Sequence, residues 1–170
     1  MKKFFRTLVL LLVVIGLVSF VFVGCGQQQP TSTEQQGGQQ QQQTQAEPKL
    51  KVGLVFDIGG RGDKSFNDSA YNGLKMAAEK LGGYIKDDPD NINYGNNIEI
   101  KYMEPKQGGS DREQLLRKLA EEGYDLVIGV GFAFTDAIKK VAADFPNVHF
   151  GIIDSCSDDM PDNVTCLLFK

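Results

Sequence analysis

Asp57, Phe66 and Asn67 are the residues whose types and spacing point first to a site. They lie in Asp57-Ile-Gly-Gly-Arg-Gly-Asp-Lys-Ser-Phe-Asn-Asp-Ser-Ala-Tyr-Asn-Gly73, between the apolar run Leu50–Phe56 and an amphipathic segment ending near Leu81. A carboxylate, an aromatic ring and an amide would converge there on one spot and hold a ligand. Two further apolar runs end in similar fashion, at Gly131-Phe132 and at Asp154-Ser155. In open α/β sheets ligands bind beyond the carboxyl ends of the strands, so three such tips on one rim outline a candidate site. Each residue also has a structural reading. Asp57 can cap amides of its own loop, and Asp154 can be a turn former. Phe66 can pin the start of the following helix, and Asn67 can be its N-cap.

Covalent chemistry has little support. The single histidine, His149, falls inside an apolar strand pattern and reads as structural. No Gly-x-Ser-x-Gly elbow is present, and no nucleophile stands beside a base. Gly59-Gly60-Arg-Gly62 lacks both the dinucleotide spacing and the Gly-Lys-Ser/Thr ending of a phosphate loop, so no cofactor is expected. Asp87–Asn97 is acidic but lacks the spacing and final Glu of a calcium loop. It reads as a solvated turn, and no metal is expected. Cys156 and Cys166 read as small buried residues, with a disulfide between them as the alternative in an oxidising compartment. The chain is expected to bind, not to catalyse.

The elements that must position these residues follow from periodicity. Leu50–Phe56 is nearly continuous apolar sequence, as in a parallel strand covered on both faces. Ala70, Leu74, Ala77, Ala78 and Leu81 then share one helix face, and Gly82-Gly83 ends that helix. Ile98–Met103 forms a second strand. Ser110 or Asp111 caps a helix through Glu122, with Leu115, Leu116 and Leu119 inward. Asp125–Val130 is a third strand, followed by a helix from Phe134 or Thr135 with Ala137, Ile138, Val141 and Ala142 inward. Val148–Ile153 is a fourth strand and Val164–Phe169 a last apolar run. Strands alternating with helices predict an α/β fold: a three-layer parallel sheet, flavodoxin-like, with strand order 2-1-3-4-5. No helix follows the final strand, so a partly uncovered sheet face is expected, as in the front part of something larger.

The chain has 170 residues and a formal net charge of −4. Lys2, Lys3 and Arg6 fall in the first 24 residues, which hold no acid, so the remainder sets 15 of the 18 bases against 22 acids, a net of −7. An acidic body argues against nucleic acid as a partner, because phosphate binding needs clustered Lys and Arg. The basic start followed by apolar Thr7–Val23 has the pattern of a leader, or of an anchor helix near the minimum length for a bilayer. Phe22-Val-Gly-Cys25 resembles the lipobox of bacterial lipoprotein signal peptides, with Phe22 in place of the usual Leu. That resemblance implies a signal peptide over 1–24 and lipidation of Cys25. Residues 25–48 are Gln-rich without apolar periodicity and are expected to be a disordered tether. A ligand-binding lobe over 49–170 follows.

From Asp57-x-Gly-Gly-x-x-Asp63-x-Ser65-Phe66-Asn67 to Gly73, together with Gly131-Phe-Ala-Phe-Thr-Asp136-Ala and Gly151-Ile-Ile-Asp154, the chain resembles the basic membrane protein family. These are lipoprotein solute-binding components of ABC transporters, similar to purine nucleoside receptor A. The resemblance implies the first lobe of a type I periplasmic-binding fold, tethered at the outer face of a bacterial cytoplasmic membrane, with permease and ATPase subunits as partners. It implies that Phe66 stacks on a purine ring, that Asp57 and Asn67 hydrogen-bond its polar edge, and that Gly131 and Phe132 line the cleft. Asp136 and Asp154 are further implied contacts. Family members carry a second lobe whose residues have no counterpart in this sequence. The alternatives on the same fold are a receptor for a sugar or signalling molecule, and a surface lipoprotein without a transport role.

Overall fold

The structure, a computed structural model, describes residues 47–169. The expected signal peptide, the lipobox with Cys25 and nearly all of the tether lie outside the described residues. None of the described helices is long and apolar enough to cross a membrane.

Among the described residues ten elements follow one another. They are β1 (Leu50–Val55), α1 (Phe66–Leu81), β2 (Tyr84–Ile85), β3 (Ile98–Met103), α2 (Arg112–Glu121), β4 (Leu126–Val130), a 3₁₀ turn (Phe132–Phe134), α3 (Thr135–Asp144), β5 (His149–Ile153) and β6 (Val164–Leu167). The strands form one sheet in the order β2-β3-β1-β4-β5-β6, and each named pair is parallel. The five strands expected from periodicity therefore stand in the expected order. The two-residue β2 is an addition at the edge, too short to show a hydrophobic period.

The alternation within β1 explains why its second half, Leu54-Val55 and on to Phe56, is apolar on both faces. Leu54 and Phe56 point to one face, where Tyr71, Leu74 and Ala78 of α1 pack with Ile100 and Val130. Val55 points to the other, against Leu116 and Leu119 of α2 and Ile138 and Val141 of α3. A side chain of this kind contributes about 1.5–3 kcal/mol when fully buried, and nearly all of these are at or near zero exposure. Helices on both faces of the sheet make three layers. Gly82 ends α1 in the left-handed conformation (φ 69°), with its N–H on the Ala78 carbonyl.

Four expectations need correction. The Asp87–Asn97 segment is not merely a solvated turn: Asp88 is 6% exposed, and its carboxylate accepts hydrogen bonds from Tyr71 and Tyr102 Oη at 2.9–3.1 Å. The donors that make this burial tolerable sit on α1 and β3, remote in sequence. His149 is exposed at the first position of β5, so it is not held within the core. Cys156 and Cys166 are not separate buried thiols but a disulfide, Cα to Cα 5.4 Å. It spans a crossover from β5 to β6 that contains no helix. Finally, the alternative reading of Asn67 as the N-cap does not hold. Ser65 is the N-cap residue and makes no side-chain cap bond.

Candidate functional site

The chain runs from β1 through α1 outward to β3, then through α2 back across β1 to β4. The direction of winding therefore reverses between β1 and β4, and a crevice opens at their carboxyl ends. There a cavity of about 190 Å³ is lined by Asp57, Ile58, Asp63, Phe66, Asn67, Val130, Gly131, Phe132 and Asp154. Six of the seven residues singled out from the sequence thus meet on one wall. The seventh, Asp136, lies exposed in the first turn of α3 and is not among the lining residues.

The loop carrying the site is shaped by two carboxylates that the sequence reading passed over. Asp63 accepts hydrogen bonds from the backbone N–H groups of Ser65, Asn67 and Asp68 at 2.8–3.1 Å. Asp68 accepts those of Gly62 and Lys64 at 2.7 and 2.9 Å. Partial burial raises the Asp63 carboxyl, but the N–H groups of Ser65, Asp68 and Asn67 outweigh it and hold it below the ordinary carboxylate range. The donors that a phosphate loop would offer are thereby consumed within the loop. The local signal was present: an Asp two residues before a helix N-cap is an Asx-turn former.

Asn67 is 2% exposed. Its Oδ1 accepts the Asp57 N–H at 2.9 Å and its Nδ2 donates to the Asp57 carbonyl at 3.3 Å. The amide therefore staples the tip of β1 to the first turn of α1. Asp57 does not cap its own loop. Its Oδ1 accepts from Arg112 Nε at 3.0 Å and Nη2 at 2.5 Å. Arg112 lies 55 residues away at the start of α2, and no local pattern could have pointed to it.

Two aromatic rings flank these polar groups. Phe66 is 50% and Phe132 75% exposed, so both rings leave apolar area open beside the cavity. Gly131 holds φ 95°, which side chains other than glycine rarely adopt, and a Cβ there would lie 3.5 Å from Asp57 Oδ2. Asp154 also has positive φ (62°), and its N–H is fixed to the Leu167 carbonyl at 2.8 Å. Its side chain ends at the cavity. The wall is thus acidic, aromatic and open to one side, suited to a flat ligand with hydrogen-bond donors and no negative charge.

A parallel sheet with a crevice at its winding switch hosts many small-ligand sites, those of solute-binding lobes among them. An ABC transporter solute-binding protein from Aeropyrum pernix superposes with a TM-score of 0.57 at 33% identity, covering 70% of this chain and 28% of that one. Residues 49–170 match the family described as ABC transporter substrate-binding protein PnrA-like (Bmp), and the chain belongs to that family. An uncharacterized lipoprotein from Pyrococcus furiosus is 39% identical over 128 residues, 75% of this chain and 28% of the relative. The ABC transporter nucleoside-binding protein BmpA of Lactococcus lactis is 31% identical over 120 residues, 71% of this chain and 30% of its own length. The chain spans under a third of the length of these curated relatives.

Proposed function

We propose that this chain is the lipid-anchored, extracytoplasmic solute-binding component of an ABC importer for purine nucleosides. The observation that carries the reading is the pair of exposed rings, Phe66 and Phe132, beside the carboxylates of Asp57 and Asp154. A purine offers a flat face for stacking, worth about 1–3 kcal/mol per base. Its edge and its ribose offer N–H and O–H donors to carboxylates. The three acids on the wall disfavour a phosphorylated ligand, so nucleosides are taken in preference to nucleotides.

The open side of the cavity is closed in this reading by a second lobe, which completes desolvation of the ligand. The 170-residue chain by itself then binds nucleosides weakly. Lipidation of Cys25 tethers the protein outside the membrane, next to the permease and ATPase subunits. The lipoprotein relative supports that placement.

Titration calorimetry on the full-length gene product with guanosine, inosine, ribose, adenine and guanosine monophosphate tests the reading. Guanosine or inosine is expected to bind at least tenfold more tightly than the monophosphate. Binding of ribose without nucleosides would mean a sugar receptor on the same fold. Micromolar or tighter binding of nucleosides by the 170-residue chain would remove the need for a second lobe.

A further inference from the structure

Arg112 reaches the tip of β1 because the connection from β3 to β4 carries α2 across β1. Its position is fixed by three contacts. Nε and Nη2 both donate to Asp57 Oδ1, Nη1 donates to the Gly109 carbonyl at 3.1 Å, and Cζ lies 5.6 Å from the centroid of the Phe134 ring. Gly109 has no side chain where the guanidinium lies, and a Cβ there would collide with it. The Arg112 side chain is 16% and that of Asp57 28% exposed, so the pair is largely shielded from water.

Both donors fall on one oxygen. Among the described residues none donates to Oδ2, which would lie 3.5 Å from a Cβ on Gly131, a neighbour in the cavity lining. The Asn67 staple fixes the backbone of Asp57, and Arg112 fixes the rotation of its carboxylate. We propose that Arg112 is a positioning residue that commits Asp57 Oδ1 to the protein and presents Oδ2 to the ligand, so that the site selects ligands carrying a hydrogen-bond donor at that point. A carboxylate oxygen accepts and does not donate. A site built around such an acceptor rejects an analogue lacking the donor more strongly than an apolar pocket can. Without Arg112 the carboxylate is free to rotate about its side-chain bonds, and the selection is lost while the stacking surface remains.

This inference rests on the nucleoside reading, and the experiment separates the two. The full-length protein is titrated with inosine, which carries an N1–H donor, and with purine riboside, which has the same ring system and sugar but neither that donor nor the 6-oxygen. The wild type is expected to prefer inosine by at least tenfold. Arg112→Gln is expected to reduce that preference fivefold or more by weakening inosine, with purine riboside affinity held within twofold. Arg112→Lys keeps the charge without the planar fork and is expected to fall between; it carries the test if the Gln variant does not fold. Equal weakening of both ligands, or an unchanged preference in both variants, would overturn the positioning role and leave the nucleoside reading standing. Failure of the wild type to bind any nucleoside would sink both.

Discussion

The guanidinium of Arg61 lies 3.8 Å from the centroid of the Tyr71 ring while donating to Asp88 Oδ1 at 3.4 Å and to Asp90 Oδ2 at 2.8 Å. This contact joins the glycine-rich loop of the site to the segment before β3. Tyr71 belongs to α1, so stacking, charge and hydrogen bonding meet on one arginine. The Asp88 side chain is fully buried and Arg61 27% exposed. Arg61→Ala leaves Asp88 with only the two tyrosine hydroxyls, and is expected to cost about 1–3 kcal/mol. Arg61→Lys is expected to recover less than half of this, since a lysine cannot stack and fork at once. Urea denaturation of the two variants reads the difference.

For ligand binding, Phe66→Ala in the full-length protein is expected to weaken nucleoside affinity by about 1–3 kcal/mol, roughly 5- to 150-fold. Asp57→Ala is expected to do as much. Asp154→Ala is expected to do less, because Asp154 is exposed to water, which weakens its hydrogen bonds to a ligand. Equal losses at all three positions, measured by calorimetry, would mean that the site lies elsewhere.

Two glycines are expected to respond in opposite senses. At Gly83 a Cβ would lie 2.7 Å from the Ile98 carbonyl oxygen, a backbone atom that cannot step aside. Gly83→Ala is therefore expected to destabilise by about 1–3 kcal/mol. Gly73, inside α1, faces open space, so Gly73→Ala is expected to stabilise by about 0.5–1 kcal/mol through backbone entropy. Thermal melts of the two variants are expected to move apart.

The Cys156–Cys166 bridge closes a loop of 10 residues' separation where a parallel crossover lacks its helix. Chain entropy assigns such a closure about 2–4 kcal/mol. Reduction, or the Cys156→Ser/Cys166→Ser pair, is expected to lower the denaturation midpoint accordingly. Hydrogen exchange is expected to speed up in β6 before it does in β1.

Acid is expected to destabilise the fold. Glu99 is raised by burial but lowered more by the hydroxyls of Tyr84 and Tyr124, ending below its ordinary 4.5. Asp90 is held below 3.8 by the Tyr71 hydroxyl and Arg61, and Asp63 is depressed by its loop amides. Groups depressed in the folded state contribute stability above their unfolded values and lose it as pH falls through the folded ones. Urea midpoints are therefore expected to be flat from pH 7 to about 5 and to fall below about pH 4. Tyr124→Phe removes a 2.7 Å bond to Glu99. It is expected to cost about 1–3 kcal/mol at neutral pH and to lessen the acid sensitivity.

What the sequence determined by itself was whatever depends on neighbours along the chain. Apolar runs and helix faces placed five strands and three helices, and their alternation implied the parallel sheet and its order. Strand tips then marked Asp57, Phe66, Asn67, Gly131, Phe132 and Asp154 as one edge, and these line a single cavity. Asp136, carried over by resemblance alone, lies outside that lining.

The tertiary structure decided what each charged or sulfur-bearing group pairs with. Arg112 finds Asp57 across 55 residues, Asp88 is buried because Tyr71 and Tyr102 reach it, and Cys156 meets Cys166 because β6 returns beside β5. Hydrophobic periodicity is a one-dimensional signal, written into every few residues. A polar partner is chosen by which segments the sheet winding brings within about 3 Å of each other, and that distance exists only once the chain has folded.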